Sequence, residues 1–190
     1  MLERFKVPEK NRVYVEVDSI RHVTEAIFRK QGLSAEEARI STDVLIINDL
    51  RGVESHGVSN GLRRYVSEYS NKNLNPRPNF KVVRETKTTM TVDADKALGI
   101  HVGPWAMEQA IKRAKDYGIG AVSVYNTGHL AGCGYYAMMA AEEDMIGHCM
   151  TAGGAYQTVP PFGSSPVMGT NPMAWAAPAK KMPPFLFDVA

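Results

Sequence analysis

The sequence predicts an α/β protein in which a helical segment over residues 1–75 leads into a sheet-bearing region over residues 76–190. Three observations carry this. Residues 18–70 hold successive stretches with apolar side chains at helical spacing, one of them opened by a capping box. The linker NKNLNPRP at 71–78 then breaks the pattern, and the domain boundary is placed there. Beyond it, short β-branched runs alternate with helical stretches, and residues 120–150 read as strand, glycine-bearing loop, helix and strand.

Taken in order, residues 13–17 alternate weakly and predict a short strand. Asp18 or Ser19 caps a helix to about Gln31, with Ile20, Val23, Ile27 and Phe28 on one face and Gly32 closing it. Ser34 with Glu37 three residues on is a capping box, and its helix runs to about Leu50 with Ala38, Val44, Leu45 and Leu50 inward. Gly52 is placed to take positive φ at its end. Val58, Leu62, Tyr65, Val66 and Tyr69 form the apolar stripe of a third helix over 58–70. Strands are predicted at 80–85 and 88–93, and Pro104 opens a helix over 105–117. Residues 121–125 suit a buried strand, 135–144 a helix and 146–151 the next strand. The loop-rich remainder carries short strands at 173–177 and 185–189.

Gly132-Cys133-Gly134-Tyr135-Tyr136-Ala137 matches the loose form of a Rossmann glycine fingerprint, but its context is missing. The first glycine lies well beyond the strand end at Tyr125, and no acid occurs at 151–156, where the ribose-binding carboxylate belongs. The glycines are read as tight turning and close helix packing.

Bulk composition excludes several classes of function. The chain is 44% hydrophobic and 22% charged with a net charge of +2, so neither nucleic acid nor an anionic membrane is indicated. No apolar run approaches the ~20 residues of a membrane span, and the charged N-terminus lacks a secretory core. Cys133 and Cys149 have neither metal-type nor disulfide-framework spacing, which fits a reducing cytoplasm and small buried thiols.

Candidate chemistry sits in glycine-flanked histidines. His56 lies between Ser55 and Gly57 just after a helix end, and His129 follows the 121–125 strand in a turn. Imidazole is suited to proton transfer near neutral pH. A lone histidine in such a turn more often satisfies only local backbone groups, so convergence of the two is what a catalytic reading requires. His148 is expected in or near the core, His22 on the surface, and His101 is left open. Gly169-Thr170-Asn171-Pro172 offers amides, a hydroxyl and a carboxamide to an anion or amide, or is simply a turn. Asp188, at the end of an apolar strand, is a carboxylate able to accept ribose hydroxyls.

Leu50-Arg51-Gly52-Val53-Glu54-Ser55-His56-Gly57-Val58 resembles the N-terminal signature of the malate/L-lactate dehydrogenase family that lacks a Rossmann fold. Asn126-Thr127-Gly128-His129 with Gly132 and Gly134-Tyr135 is similar to that family's second histidine motif. Pro161-Phe162-Gly163, Gly169-Thr170-Asn171-Pro172 and Phe187-Asp188-Val189-Ala190 look like its cofactor-side motifs, all in the family's order. The resemblance implies a non-Rossmann, mixed-sheet NAD(P)-binding domain and a cytoplasmic homodimer. It implies interconversion of a 2-oxo acid and a 2-hydroxy acid with NAD or NADP as cofactor, between which the residues do not choose. His56 and His129 are the implied acid/base pair, with Gly153, Thr170, Asn171, Phe187, Asp188 and Val189 on the cofactor side.

Two departures from the family pattern stand out. Many members carry an arginine four residues after the first histidine to grip the substrate carboxylate, whereas this chain has Asn60 there. Arg63 and Arg64, one helical turn on, are the candidate replacements, and Ser55 and Asn60 complete the expected substrate side. Members also run well past the Phe-Asp-Val-Ala motif, so the resemblance implies a cofactor domain incomplete at the C-terminus. Two other readings stay open: an inactive remnant that at most associates with a partner chain, and a histidine-based metal hydrolase.

Overall fold

The structure, a computed structural model, describes residues 8–153 and 156–190. The charged stretch at 1–7 and Gly154 of the Gly153-Gly154 pair lie outside the described residues.

Residues 13–16 form no strand among the described residues, and Val13 and Tyr14 are 85% and 83% exposed. The strand predicted there is not formed, because a strand needs a neighbour for its backbone groups. Helix α1 spans Val17–Lys30 with Glu16 as N-cap, so Asp18 sits in the first turn, where negative charge suits the helix dipole. Thr24 and Phe28 are its buried residues, and Val23, predicted inward, faces solvent. Gly32 takes φ +106 at the turn that follows.

Helix α2, Ala35–Leu50, starts with the predicted capping box: the Glu37 amide donates to Ser34 Oγ and the Ser34 amide to Glu37 Oε2 at 2.6 Å. It packs against α1 and against three later helices, so its burial is broad and not a single stripe. Ser41, Thr42, Ile46 and Asn48 are buried beside Ala38, Val44 and Leu45, whereas Leu50 is exposed. A 3-10 turn at Glu54–His56 joins it to α3, Val58–Ser70.

The rest of the chain builds two three-stranded sheets. Strands β1, Lys81–Glu85, and β2, Thr89–Ala97, are antiparallel, while β2 and β3, Ala121–Thr127, run parallel in register Val92↔Val124. The parallel pair is bridged by α4, Gly99–Tyr117, which starts five residues ahead of the predicted Pro104. Gly99 permits this early start: a Cβ there would meet His129 O at 2.5 Å and Gly128 O at 2.6 Å. β3 is an edge strand, so the burial expected of it is only partial and Tyr125 is 47% exposed.

Helix α5, Gly134–Ala141, then leaves the first sheet for the second, where β4, Gly147–Met150, β5, Met173–Ala177, and β6, Phe185–Val189, form an antiparallel order β4-β5-β6. The predicted strand–helix–strand unit therefore joins two different sheets. Cys133, Ala137, Ala141, Ala174 and Ala176 make the small-residue seam between α5 and the second sheet. The largest apolar cluster draws on both sides of the 71–78 linker, from Phe28, Leu45 and Tyr65 to Leu98, Ile100 and Tyr136. Among the described residues, no helix is long and apolar enough to cross a membrane.

Candidate active site

The two glycine-flanked histidines meet. His56 closes the 3-10 turn between α2 and α3, held from below by Asp49, whose Oδ2 accepts the Val58 amide at 2.8 Å. His129 comes from the sheet-bearing part of the chain, just beyond β3. There Asn126 adopts φ +54 and its carboxamide donates to Asp93 Oδ1 at 2.8 Å, turning the chain out of the sheet. The His56 and His129 rings stack with centroids 5.6 Å apart and planes 18° apart.

Around them lies a concavity of about 250 Å³ lined by Ser55, His56, Asn60, Gly61, Arg64, Tyr65 and His129. A second hollow of about 340 Å³ adjoins it, sharing Asn60 and Arg64 and adding Ser59, Arg63 and Ser67. Every residue predicted for the substrate side is thus in one of these two hollows. Ser55 Oγ lies 2.8 Å from His56 Nδ1, and Asn60 Nδ2 donates to Ser55 O at 3.0 Å. Arg64 is pinned by Glu68 Oε1 at 2.8 Å, whereas exposed Arg63 has no hydrogen bond or ion pair among the described residues. The pocket wall is cationic, which suits an anionic substrate.

Burial pushes the His129 pKa down to about 4, and the nearby Arg64 and His56 push the same way against a weaker pull from Glu68. His129 is therefore a neutral imidazole near pH 7. Tyr65 Oη lies 2.8 Å from His129 Nδ1, and the phenol's pKa is raised by burial. Sequence reading placed Tyr65 on the buried stripe of α3, which is correct, but missed the hydroxyl. A buried tyrosine tip needs a polar partner, and that need was the available signal.

The remaining predicted residues sit on a different surface. Gly153 donates its amide to Thr170 O at 2.7 Å, and a Cβ on Gly153 would meet Thr170 Oγ1 at 2.8 Å. Asn171 bonds within its own turn, to Gly169 O at 3.4 Å, and stays exposed with Thr170. On β6 the strand alternation divides the motif. Phe187 lies in register with Trp175, which stacks on His148 at 3.9 Å, and this face is open. Asp188 lies in register with buried Ala174, and its Oδ2 accepts the Gly134 amide at 2.7 Å at the start of α5. The Gly134 amide is thus taken up by a side chain of the same protein. Gly132 is packed against Asn48, whose Oδ1 a Cβ would approach to 2.5 Å. Both facts agree with the packing role given to these glycines. None of the cofactor-side residues lines the histidine concavity.

Of the other histidines, His22 is exposed and His148 half-buried, as expected. His101, left open by the sequence, is buried with its ring against Phe80 and its Nε2 3.6 Å from Glu37 Oε1. The cysteines lie under the second sheet among alanines, and neither lines the His56–His129 concavity. Among the described residues, no group of three or more histidine, cysteine, aspartate or glutamate side chains is placed to hold a metal ion.

Comparison with known proteins decides the family. The sequence profile of the malate/L-lactate dehydrogenases matches residues 15–190. The chain belongs to the malate/L-lactate dehydrogenase family. A family relative, malate dehydrogenase of Pyrococcus horikoshii, is 43% identical over 190 residues, which is 100% of this chain and 52% of the relative. L-sulfolactate dehydrogenase of Methanocaldococcus jannaschii is 38% identical over 86% of this chain and 47% of its own length. The solved structure of the Pyrococcus horikoshii enzyme superimposes with a TM-score of 0.92, covering 100% of this chain and 53% of that one. The chain spans about half the length of the curated family relatives it matches.

Proposed function

We propose that the protein is an oxidoreductase interconverting a small 2-oxo acid and its 2-hydroxy acid with NAD or NADP, as a cytoplasmic homodimer. The observation that carries this reading is the stacked His56–His129 pair facing a small concavity with Arg64 in its wall. Such a pair suits a reaction in which a carbonyl oxygen becomes an alkoxide and takes a proton. The names of the relatives, malate and sulfolactate dehydrogenases, support a substrate of this class.

The nicotinamide cofactor, when bound, supplies or removes the hydride. The residues present fit such a group. Thr170 and Asn171 present exposed donors, and Asp188 keeps Oδ1 clear of hydrogen bonds among the described residues while β6 is exposed throughout. Gly153, Thr170, Asn171, Phe187, Asp188 and Val189 are the residues we assign to holding it. On the substrate side, Arg64 and Arg63 supply the positive charge for the carboxylate that Asn60 lacks, and Asn60 adds a neutral hydrogen bond. His56 and His129 face the reacting oxygen, and Ser55 steadies His56.

The span of half a relative's length is consistent with a second reading, an inactive remnant that at most associates with a partner chain and binds no cofactor. A fluorescence titration with NADH and then NADPH, followed by a panel of 2-oxo acids, separates the two. Saturable binding and turnover, with turnover impaired and binding kept in His56→Ala or His129→Ala, is the expected result. No binding by the folded protein would leave the second reading standing.

A further inference from the structure

The two histidines are not equivalent, and the difference lies in what reaches each Nδ1. His129 Nδ1 is approached by two groups: Tyr65 Oη at 2.8 Å and the backbone amide of Ala131 at 3.3 Å. An amide N–H has no lone pair to offer and can only donate. Both contacts are satisfied together only when His129 Nδ1 is the unprotonated nitrogen, and in a neutral imidazole the hydrogen then sits on Nε2. With Nδ1 an acceptor, the Tyr65 hydroxyl is also its donor. Tyr65 is fully buried and packs under Gly61, so its hydroxyl is held in place.

His56 lacks such a constraint. Its Nδ1 faces Ser55 Oγ at 2.8 Å, and a serine hydroxyl donates or accepts as required. Ser55 is exposed and His56 half-buried, so this ring is open to proton exchange with water.

Building on the 2-oxo acid oxidoreductase reading, we propose that Tyr65 is a positioning residue that fixes His129 as the neutral tautomer bearing its proton on Nε2. His129 then holds the substrate oxygen by an Nε2–H hydrogen bond and keeps its proton, while His56 delivers the proton to the alkoxide and is reprotonated from solvent. Burial of His129 and the charges of Arg64 and His56 act in the same sense, since all disfavour an imidazolium there.

Two-bond 1H–15N NMR of the histidine rings tests this in the protein without substrate. The expected spectrum shows His129 with a protonated Nε2 and a bare Nδ1 at pH 7. In Tyr65→Phe, which keeps the ring and removes only the hydroxyl, the His129 titration midpoint should rise toward the ordinary histidine range. A proton on Nδ1 in the wild type, or an unmoved midpoint in Tyr65→Phe, overturns the assignment. In turnover assays His56→Gln should abolish the pH dependence of kcat, and His129→Ala should lower kcat about 100- to 1,000-fold while retaining that pH dependence, as for a lost donor to a developing charge. The reverse pattern also overturns the assignment. Absence of turnover with every 2-oxo acid would sink the oxidoreductase reading, whereas the ring spectra still accept or reject the tautomer.

Discussion

Gly57 and Asp49 are in contact so close that a Cβ on Gly57 would lie 1.7 Å from Asp49 Oδ1. The same carboxylate accepts the Val58 amide through Oδ2 at 2.8 Å. Asp49, near the end of α2, thereby caps the start of α3, and the turn bearing His56 is clamped between them. Gly57 has φ −92 and ψ −167, an extended conformation open to any residue, so the requirement for glycine here is one of space.

From this contact, Gly57→Ala should displace Asp49 and cost about 1–3 kcal/mol, as overpacking does, with loss of the cap adding to it. Asp49→Ala should cost about 1 kcal/mol. Asp49→Asn should cost less, because a carboxamide oxygen still accepts the amide and carries no charge to desolvate; burial already raises the Asp49 pKa. Urea denaturation checks the order of the three, and the His56 ring resonances should shift most in Gly57→Ala.

Stability should depend on pH through His129. Its folded pKa of about 4 lies below the ordinary histidine value of 6.5 expected of the unfolded chain. Between these values the unfolded chain binds more protons, so acid favours unfolding. The contribution is fully present above about pH 6.5 and is lost as pH falls toward about 4. His101, lowered by burial against a weaker opposing pull from Glu37, acts in the same sense. The urea midpoint should therefore fall across this window, and His129→Gln should flatten the slope without removing it.

Arg64 is the substrate-side cation that faces both hollows. Arg64→Ala should raise KM for a 2-oxo acid about 10- to 100-fold, the loss of a hydrogen bond to a charged group, with a smaller change in kcat. Asn60→Arg should lower KM, since it places a guanidinium in the same shared wall. Steady-state kinetics on the pair would show whether the carboxylate is gripped from this side of the pocket.

Glycines in the fold should differ sharply when changed to alanine. At Gly147 a Cβ would lie 2.0 Å from Ala137 O, a backbone atom of α5 that cannot swing aside. Gly147→Ala should cost about 1–3 kcal/mol or more and loosen α5 from the second sheet. At Gly118 nothing lies within 4 Å, and the cost is only that of placing a side chain at φ +80, about 1–2 kcal/mol. Thermal denaturation of the two variants, compared at one pH, checks this order.

Much of the helical half was legible because its signals are local. The capping box of Ser34 and Glu37, the α3 stripe and the glycine at position 52 depend on residues within a turn or two of each other, and each was found where expected. The first strand failed for the opposite reason: Val13 to Val15 have strand character, but pairing depends on a neighbour that local sequence does not supply. The early start of α4 was hidden likewise, since the space for Gly99 is made by His129 and Gly128 from the far side of β3.

At the site, the sequence by itself determined which residues were chemically eligible. A histidine between a serine and a glycine, a second one in a turn after a strand, and two arginines on the following helix are properties of residue type and spacing. Only the tertiary structure decided that the two rings stack at 5.6 Å, that Tyr65 reaches His129 and that Asp188 anchors α5 with one oxygen. The partners in these contacts stand far apart along the chain. Their meeting is set by the packing of α2, α3, α4 and α5 into one core and by the crossing of α5 from one sheet to the other, and that packing is a property of the folded whole.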